Sequence, residues 1–82
     1  MTDELRTAPR RRVLKGGRIV FNGGFSTFVC TVRNLSDTGA QLKVAGIIGI
    51  PEKFELVMDD GAKFACSIAW KTETELGVRF VQ

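Results

Sequence analysis

A cluster of arginines near the N-terminus is the feature of this 82-residue sequence whose spacing most directly suggests chemistry. Arg6 and Arg10 are separated by three residues, and Pro9 fixes the backbone immediately before the second arginine. An acid-free window holds six of the twelve basic residues: Arg6, Arg10, Arg11, Arg12, Lys15 and Arg18. Clustered cations repel one another unless a counter-charge is near, so the window predicts a polyanionic or phosphorylated ligand. The alternative is a solvated, disordered basic tail.

A short polar segment, residues 34–39, is the second candidate site. It begins with Asn34, has Ser36 two residues later, and ends with Gly39 three residues after the serine. Residues of these types form turns, because their short side chains bond to the nearby backbone and glycine tolerates unusual φ angles. Taken alone, the segment is therefore best explained as a hairpin turn.

The composition excludes metal-dependent and serine-histidine chemistry. The sequence has no histidine, and its two cysteines, Cys30 and Cys66, are too few and too far apart for a zinc cluster. Asp59 and Asp60 form a carboxylate pair, but they precede Gly61 in an expected hairpin turn, where acids are common. We therefore expect no enzymatic activity, no catalytic residue, no metal and no cofactor, and we expect both cysteines to be buried, reduced thiols.

Alternating apolar and polar residues indicate strands throughout the remainder of the chain. They predict no convincing helix and six β-strands over residues 13–21, 27–32, 40–44, 54–58, 63–71 and 76–80. Six short strands, each with one apolar face, favour a small antiparallel barrel, because closure pairs the edges that an open sheet would expose.

The barrel prediction assigns a core and a division of the chain. Large apolar side chains are expected inside the barrel: Phe28, Leu42, Phe54, Ile68, Trp70 and Phe80. Gly16 and Gly17 are expected to let the first strand bend or bulge. Residues 1–12 are predicted to be a flexible basic arm, and residues 13–82 to be the barrel.

The two candidate sites together resemble the two-part motif of PilZ domains, which are bacterial receptors for the second messenger cyclic di-GMP. Arg6 and Arg10 match the RxxxR part, and Asn34, Ser36 and Gly39 match the (D/N)xSxxG part. A six-stranded barrel behind a basic arm, a tryptophan on the fifth strand and the closing sequence Gly-Val-Arg-Phe are also similar to that family. The resemblance extends over residues 6–81.

The resemblance implies a ligand and a role for each motif residue. Cyclic di-GMP carries two phosphodiester charges and two guanines, and an arginine fork can bond to phosphate oxygens and to guanine O6 and N7. Arg6 and Arg10 would grip these groups, Asn34 and Ser36 would add polar contacts, and Gly39 would supply backbone freedom, including a positive φ. Two further residues are candidates for supplementary phosphate contacts: Arg11 and Arg12.

Other functions and the cellular context stay open at this stage. The resemblance implies a single-domain receptor or adaptor that signals through a separate, unidentified protein. The alternatives are a degenerate PilZ module that binds only proteins, or a basic barrel that binds nucleic acid. Nucleic-acid binding would need exposed aromatic residues, whereas most aromatics here fall on inward strand positions. With no secretory leader or membrane-spanning segment evident, we expect a cytoplasmic protein that does not contact membranes.

Overall fold

Six antiparallel strands close into a barrel in the computed structural model, which describes residues 11–81. The strands are β1 (Arg11–Phe21), β2 (Ser26–Leu35), β3 (Gly39–Val44), β4 (Lys53–Met58), β5 (Lys63–Lys71) and β6 (Glu75–Phe80). Their order around the barrel is β1-β2-β3-β6-β5-β4, and β4 pairs again with β1. A single turn of 3-10 helix, Asn22–Gly24, joins β1 to β2. The predicted all-β, six-stranded antiparallel barrel is confirmed.

The start of β1 bears on the predicted division of the chain. Arg11 pairs with Leu35 and Arg12 with Asn34, so both arginines belong to the first strand of the barrel although they were assigned to the arm. Residues 1–10 lie outside the described residues, and the flexible arm therefore stays a prediction.

The inward faces of all six strands form one apolar core. Its buried members are Ile19, Cys30, Val32, Leu42, Val44, Phe54, Leu56, Met58, Cys66, Leu76 and Val78. Half-buried side chains that include Phe28, Ile68 and Phe80 pack against this cluster. Five of the six predicted core residues are therefore in or against the core. The exception is Trp70, whose side chain is 46% exposed.

The two cysteines are buried and unbonded, as predicted. Burial raises the pKa of the Cys30 thiol from 9.0 to about 11, with a smaller contribution from the Asp59 carboxylate. Burial also raises the pKa of the Cys66 thiol to about 12. Both groups are therefore protonated at neutral pH, and they act as small apolar side chains of the core.

A β-bulge explains why Trp70 leaves the core. Ile68 pairs with Val78 and Trp70 pairs with Gly77, so β5 contains one extra residue, Ala69, between these pairs. Because inward and outward positions alternate along a strand, the extra residue reverses the alternation and turns Trp70 outward. The prediction that Trp70 is a core residue is wrong for this reason.

A second departure from the predicted pattern concerns β1. The register between β1 and β2 shifts between Arg12 and Lys15, so the bulge precedes Gly16 and Gly17 rather than including them. The two glycines instead let β1 lie close to β4 and to the turn that follows β4. A Cβ at Gly17 would lie 3.2 Å from the Val57 carbonyl oxygen, and one at Gly16 would overlap the Asp59 carboxylate.

Candidate functional site

The turn between β2 and β3 is closed by the hydroxyl group of Ser36. This oxygen accepts hydrogen bonds from the backbone N–H groups of Thr38 and Gly39, each at 3.2 Å. The Ser36 N–H donates to the Gly39 carbonyl at 2.9 Å, and the Phe80 N–H donates to the Thr38 carbonyl at 2.8 Å. The turn is thus fixed internally by Ser36 and tied to the end of β6.

Gly39 allows the turn to approach β6 closely. A Cβ at this position would overlap the carbonyl oxygen of Val78, which is backbone and cannot rotate away. The φ of Gly39 is not positive; the glycines with positive φ among residues 11–81 are Gly23, Gly24, Gly49 and Gly61. The expectation that Gly39 supplies a positive φ is therefore wrong, and the need for glycine comes from the neighbouring backbone.

Asn34 reaches the outer surface because of another bulge. Val32 pairs with Leu42 and Asn34 pairs with Gln41, so β2 contains one extra residue, Arg33, at this point. Val32 is buried in the core, whereas Arg33 and Asn34 line the same outer pocket. The Asn34 side-chain amide donates a hydrogen bond of 2.5 Å to the Gln41 side-chain oxygen, and this bond fixes both amides on the barrel wall.

The three motif residues Asn34, Ser36 and Gly39 line one pocket of about 420 Å³, which we call the wall pocket. The pocket lies over β3 and β6, and its lining residues are Asn34, Ser36, Thr38, Gly39, Ala40, Gln41, Ala69, Trp70, Gly77, Val78 and Arg79. Among these, Arg79 is the one with a charged side chain, and it stands opposite Gly39 in the pairing of β3 with β6. The described part of the pocket thus combines one cation, short polar groups and an aromatic ring.

Trp70 contributes the aromatic ring by lying across Gly77. A Cβ at Gly77 would overlap the indole ring, so the absence of a side chain there is what lets the ring lie against the barrel wall. Gly77 is buried although it lies on the outer face of β6, between the inward-facing Leu76 and Val78. Trp70 therefore has one face against the barrel and 46% of its surface exposed.

A second pocket of about 450 Å³ adjoins the wall pocket. Asn34 and Gln41 line both pockets, so their hydrogen-bonded pair forms the boundary between them. Two arginines, Arg12 and Arg33, line the second pocket. Glu75 lines this pocket too, so two arginines and one carboxylate lie on one side of the Asn34–Gln41 pair, and the ring of Trp70 lies on the other side.

The predicted site residues divide into those the structure brings together and those it does not describe. Asn34, Ser36 and Gly39 meet in the wall pocket, and Arg12 lines the adjoining pocket. Arg11 is a residue of β1, paired with Leu35. Arg6 and Arg10 lie outside the described residues.

Sequence reasoning missed four lining residues: Thr38, Gln41, Trp70 as a surface residue, and Arg79. Alternation along the strands places Gln41 and Arg79 on outward positions, which was an available signal. Trp70 had no such signal, because a bulge in β5 decides its direction.

The comparisons with known proteins identify the family. The sequence matches the PilZ domain family over residues 4–82, which is essentially the whole chain. The chain therefore belongs to the PilZ domain family, as the two motifs and the barrel pattern predicted. This is a family of ligand-binding receptor domains for cyclic di-GMP that are generally not enzymes. No curated protein matches the chain significantly.

Within residues 11–81, no three metal-ligating side chains form a group that could hold a metal ion. Across the same residues, no helix has the length and apolar character needed to cross a membrane.

Proposed function

We propose that this chain is a receptor that binds cyclic di-GMP between its N-terminal arginines and the wall pocket. The observation that carries the proposal is the entry point of the chain into the barrel. Arg11 pairs with Leu35, and Leu35 precedes Ser36. The RxxxR segment is thus joined covalently to the barrel at the edge of the turn that carries the second motif.

The chemistry of the pocket fits part of such a ligand. A volume of about 420 Å³ lies within the range of about 300–1,000 Å³ found for small-molecule sites. The exposed face of Trp70 offers a surface on which a guanine could stack, and Arg79 offers a cation for one phosphate. Two phosphodiester charges need more than one cation, and Arg6 and Arg10 are proposed to supply the others.

The proposed output is protein contact rather than catalysis. PilZ domains are generally not enzymes, and we propose that the signal passes by contact with a separate bacterial protein in the cytoplasm. Cyclic di-GMP is the ligand in this scheme, and no metal or organic cofactor is needed.

Calorimetric titration with cyclic di-GMP tests the proposal, with GMP, cyclic AMP and a short oligonucleotide as comparison ligands. We expect Arg10→Ala and Arg6→Ala each to weaken binding by roughly 10- to 100-fold, because a hydrogen bond to a charged group contributes about 1.5–3 kcal/mol. Arg18→Ala is the matched control, since it removes the same charge from an exposed position between Val29 and Val57. It should leave affinity within about twofold.

The pattern of losses distinguishes a specific site from a diffuse one. Equal losses for Arg6→Ala, Arg10→Ala and Arg18→Ala, with the oligonucleotide bound as tightly as cyclic di-GMP, would indicate a nucleic-acid binding surface. Slower amide exchange in residues 6–12 at saturating cyclic di-GMP is expected for the proposed site. Unchanged exchange in this segment would contradict the role of the arginines.

A further inference from the structure

The barrel end at which β1 ends and β2 begins carries exposed apolar side chains on two connections. Phe25 follows the 3-10 turn after β1 and is 91% exposed, and Ile48 lies between β3 and β4 and is 92% exposed. Val29 is on the outer face of β2 near this end and is also exposed. We call these three residues the apolar end patch.

Contacts within the core place the two connections over the same end. A Cβ at Gly49 would lie 3.4 Å from Cζ of Phe28, so the β3–β4 connection passes over that ring. Phe28 stacks on Phe21, with ring centroids 5.7 Å apart, directly beneath the β1–β2 connection. The patch is therefore one region rather than two separate loops.

The tips of both connections are fixed by their backbones. The Ile50 N–H donates to the Ile47 carbonyl at 3.1 Å, and Gly49 has a φ of +94°, so Ile48 occupies the corner of a tight turn. The Phe25 N–H donates to the Asn22 carbonyl at 3.1 Å. Turn corners are usually polar, and an isoleucine that buries almost nothing does not stabilise the core. Folding therefore does not explain why Ile48 is apolar.

The chain segments that form the apolar end patch carry no charged side chains of their own. Residues 19–32 and 44–51 contain no charged side chain, and Arg11, Arg12 and Lys15 lie towards the other end of the barrel, whereas Arg18 pairs with Val29 at the edge of the patch. An anionic membrane would attract that basic end and so turn the apolar end patch away. The rim of the patch carries charges of both signs. Glu52 directly precedes β4, Lys53 begins β4, and Lys71 ends β5.

We infer that a second copy of this chain covers the apolar end patch, in an end-to-end dimer with two-fold symmetry. This arrangement holds the two basic ends as far apart as the molecules allow, and the mixed rim can pair lysine of one copy with glutamate of the other. Both wall pockets remain accessible. The patch and its half-buried neighbours supply on the order of 400 Å², about half of what a standard interface buries per partner. An interface of this size is below the standard range, so we expect the dimer to be weak.

Sedimentation equilibrium over a wide range of protein concentration tests this dimer. The wild-type mass should rise from monomer towards dimer, and a Phe25→Ser/Ile48→Ser variant should raise the dissociation constant by about a hundredfold or more. A Leu14→Ser/Val81→Ser variant is the matched control, because it removes two exposed apolar side chains from outside the patch. It should dimerise like wild type. Thermal melting and cyclic di-GMP titration of each variant verify that the barrel is intact.

Several outcomes would overturn the inference. A wild-type protein that stays monomeric at the highest concentration would do so, as would a Phe25→Ser/Ile48→Ser variant that dimerises normally. Binding of the monomer to neutral phosphatidylcholine vesicles through Phe25 and Ile48 would assign the patch to lipid instead.

Amide NMR shifts that grow with concentration in residues 22–29 and 45–51 should accompany the dimer. Loss of dimer with cyclic di-GMP binding retained would leave the proposed receptor function standing.

Discussion

The wall pocket and the apolar end patch differ in what holds their side chains in place. Around the pocket, the Ser36 hydroxyl bonds to two backbone N–H groups, Gly39 approaches the backbone of β6, and Trp70 lies across Gly77. In the patch, Phe25 and Ile48 project from turns and bury little. The determinants of the fold therefore coincide with the candidate ligand site, whereas the patch can change without affecting the barrel.

Among the substitutions that test this comparison, the one at Gly39 should have the largest effect on stability. Gly39→Ala should lower the free energy of unfolding by about 3 kcal/mol and the melting temperature by about 12 °C or more, because the new Cβ overlaps a backbone carbonyl. Gly46→Ala is the matched control: its Cβ would meet no atom within 4 Å and its φ is not positive. It should be neutral or stabilise by up to about 1 kcal/mol. Similar melting temperatures for the two variants would show that the close contact between Gly39 and β6 does not limit the side chain at position 39.

Gly77→Ala should have the next largest effect. The indole of Trp70 must swing away from the barrel to admit a Cβ, at a cost of about 1–2 kcal/mol. Fluorescence should report the movement, with an emission maximum shifted towards that of a solvated indole. In a Trp70→Leu background the same substitution should cost about half as much or less, because a flexible side chain replaces the ring. An unchanged emission spectrum would contradict the contact.

Ser36→Ala should destabilise the protein by about 1 kcal/mol, the usual net contribution of hydrogen bonds of this kind. The hydroxyl serves the turn in the absence of ligand, so chemical denaturation is the measurement. Thr38→Val is the control, because the Thr38 hydroxyl contacts only the Ser36 oxygen, at 3.3 Å, and is exposed. It should change stability by less than about 0.5 kcal/mol. If Ser36→Ala melted like wild type while its ligand affinity fell tenfold, Ser36 would act on the ligand alone.

The smallest expected effect is at the apolar end patch. Ile48→Ala should leave the free energy of unfolding of the monomer within about 0.5 kcal/mol of wild type, because 92% of this residue is already exposed. Ile19→Ala is the matched reference at a fully buried isoleucine and should cost about 3 kcal/mol. Dilute protein must be used so that association does not contribute. A large loss for Ile48→Ala would mean that the turn supports the core.

Strand alternation and turn residues were sufficient to predict the six strands and the closed barrel. Alternation works because each strand has one face in the core, so that Leu42 and Phe54 are buried while their neighbours are not. It fails where a bulge adds one residue, as at Ala69, since no residue type marks a bulge reliably. The outward direction of Trp70 could therefore not be predicted.

The candidate site was predicted in part. The spacing of Asn34, Ser36 and Gly39 identified the turn that lines the wall pocket, because a short motif is local in sequence. Arg79 joins it through the pairing of β3 with β6, two strands distant in sequence, which a linear pattern does not specify. The reason for glycine at position 39 was likewise tertiary, since it depends on where β6 passes.

Closure of the barrel has a consequence for how the protein folds and opens. The β1–β4 seam consists of four residue pairs, from Gly17 with Met58 to Val20 with Glu55, whereas β1 and β2 share nine. Its partners are also far apart in sequence, so forming the seam requires a long loop closure and is expected late in folding. This seam has the fewest residue pairs of the six, and we expect it to separate early when the native barrel unfolds. A ligand that bridges the start of β1 to the rest of the barrel would hold this strand in place and lengthen the lifetime of the native state.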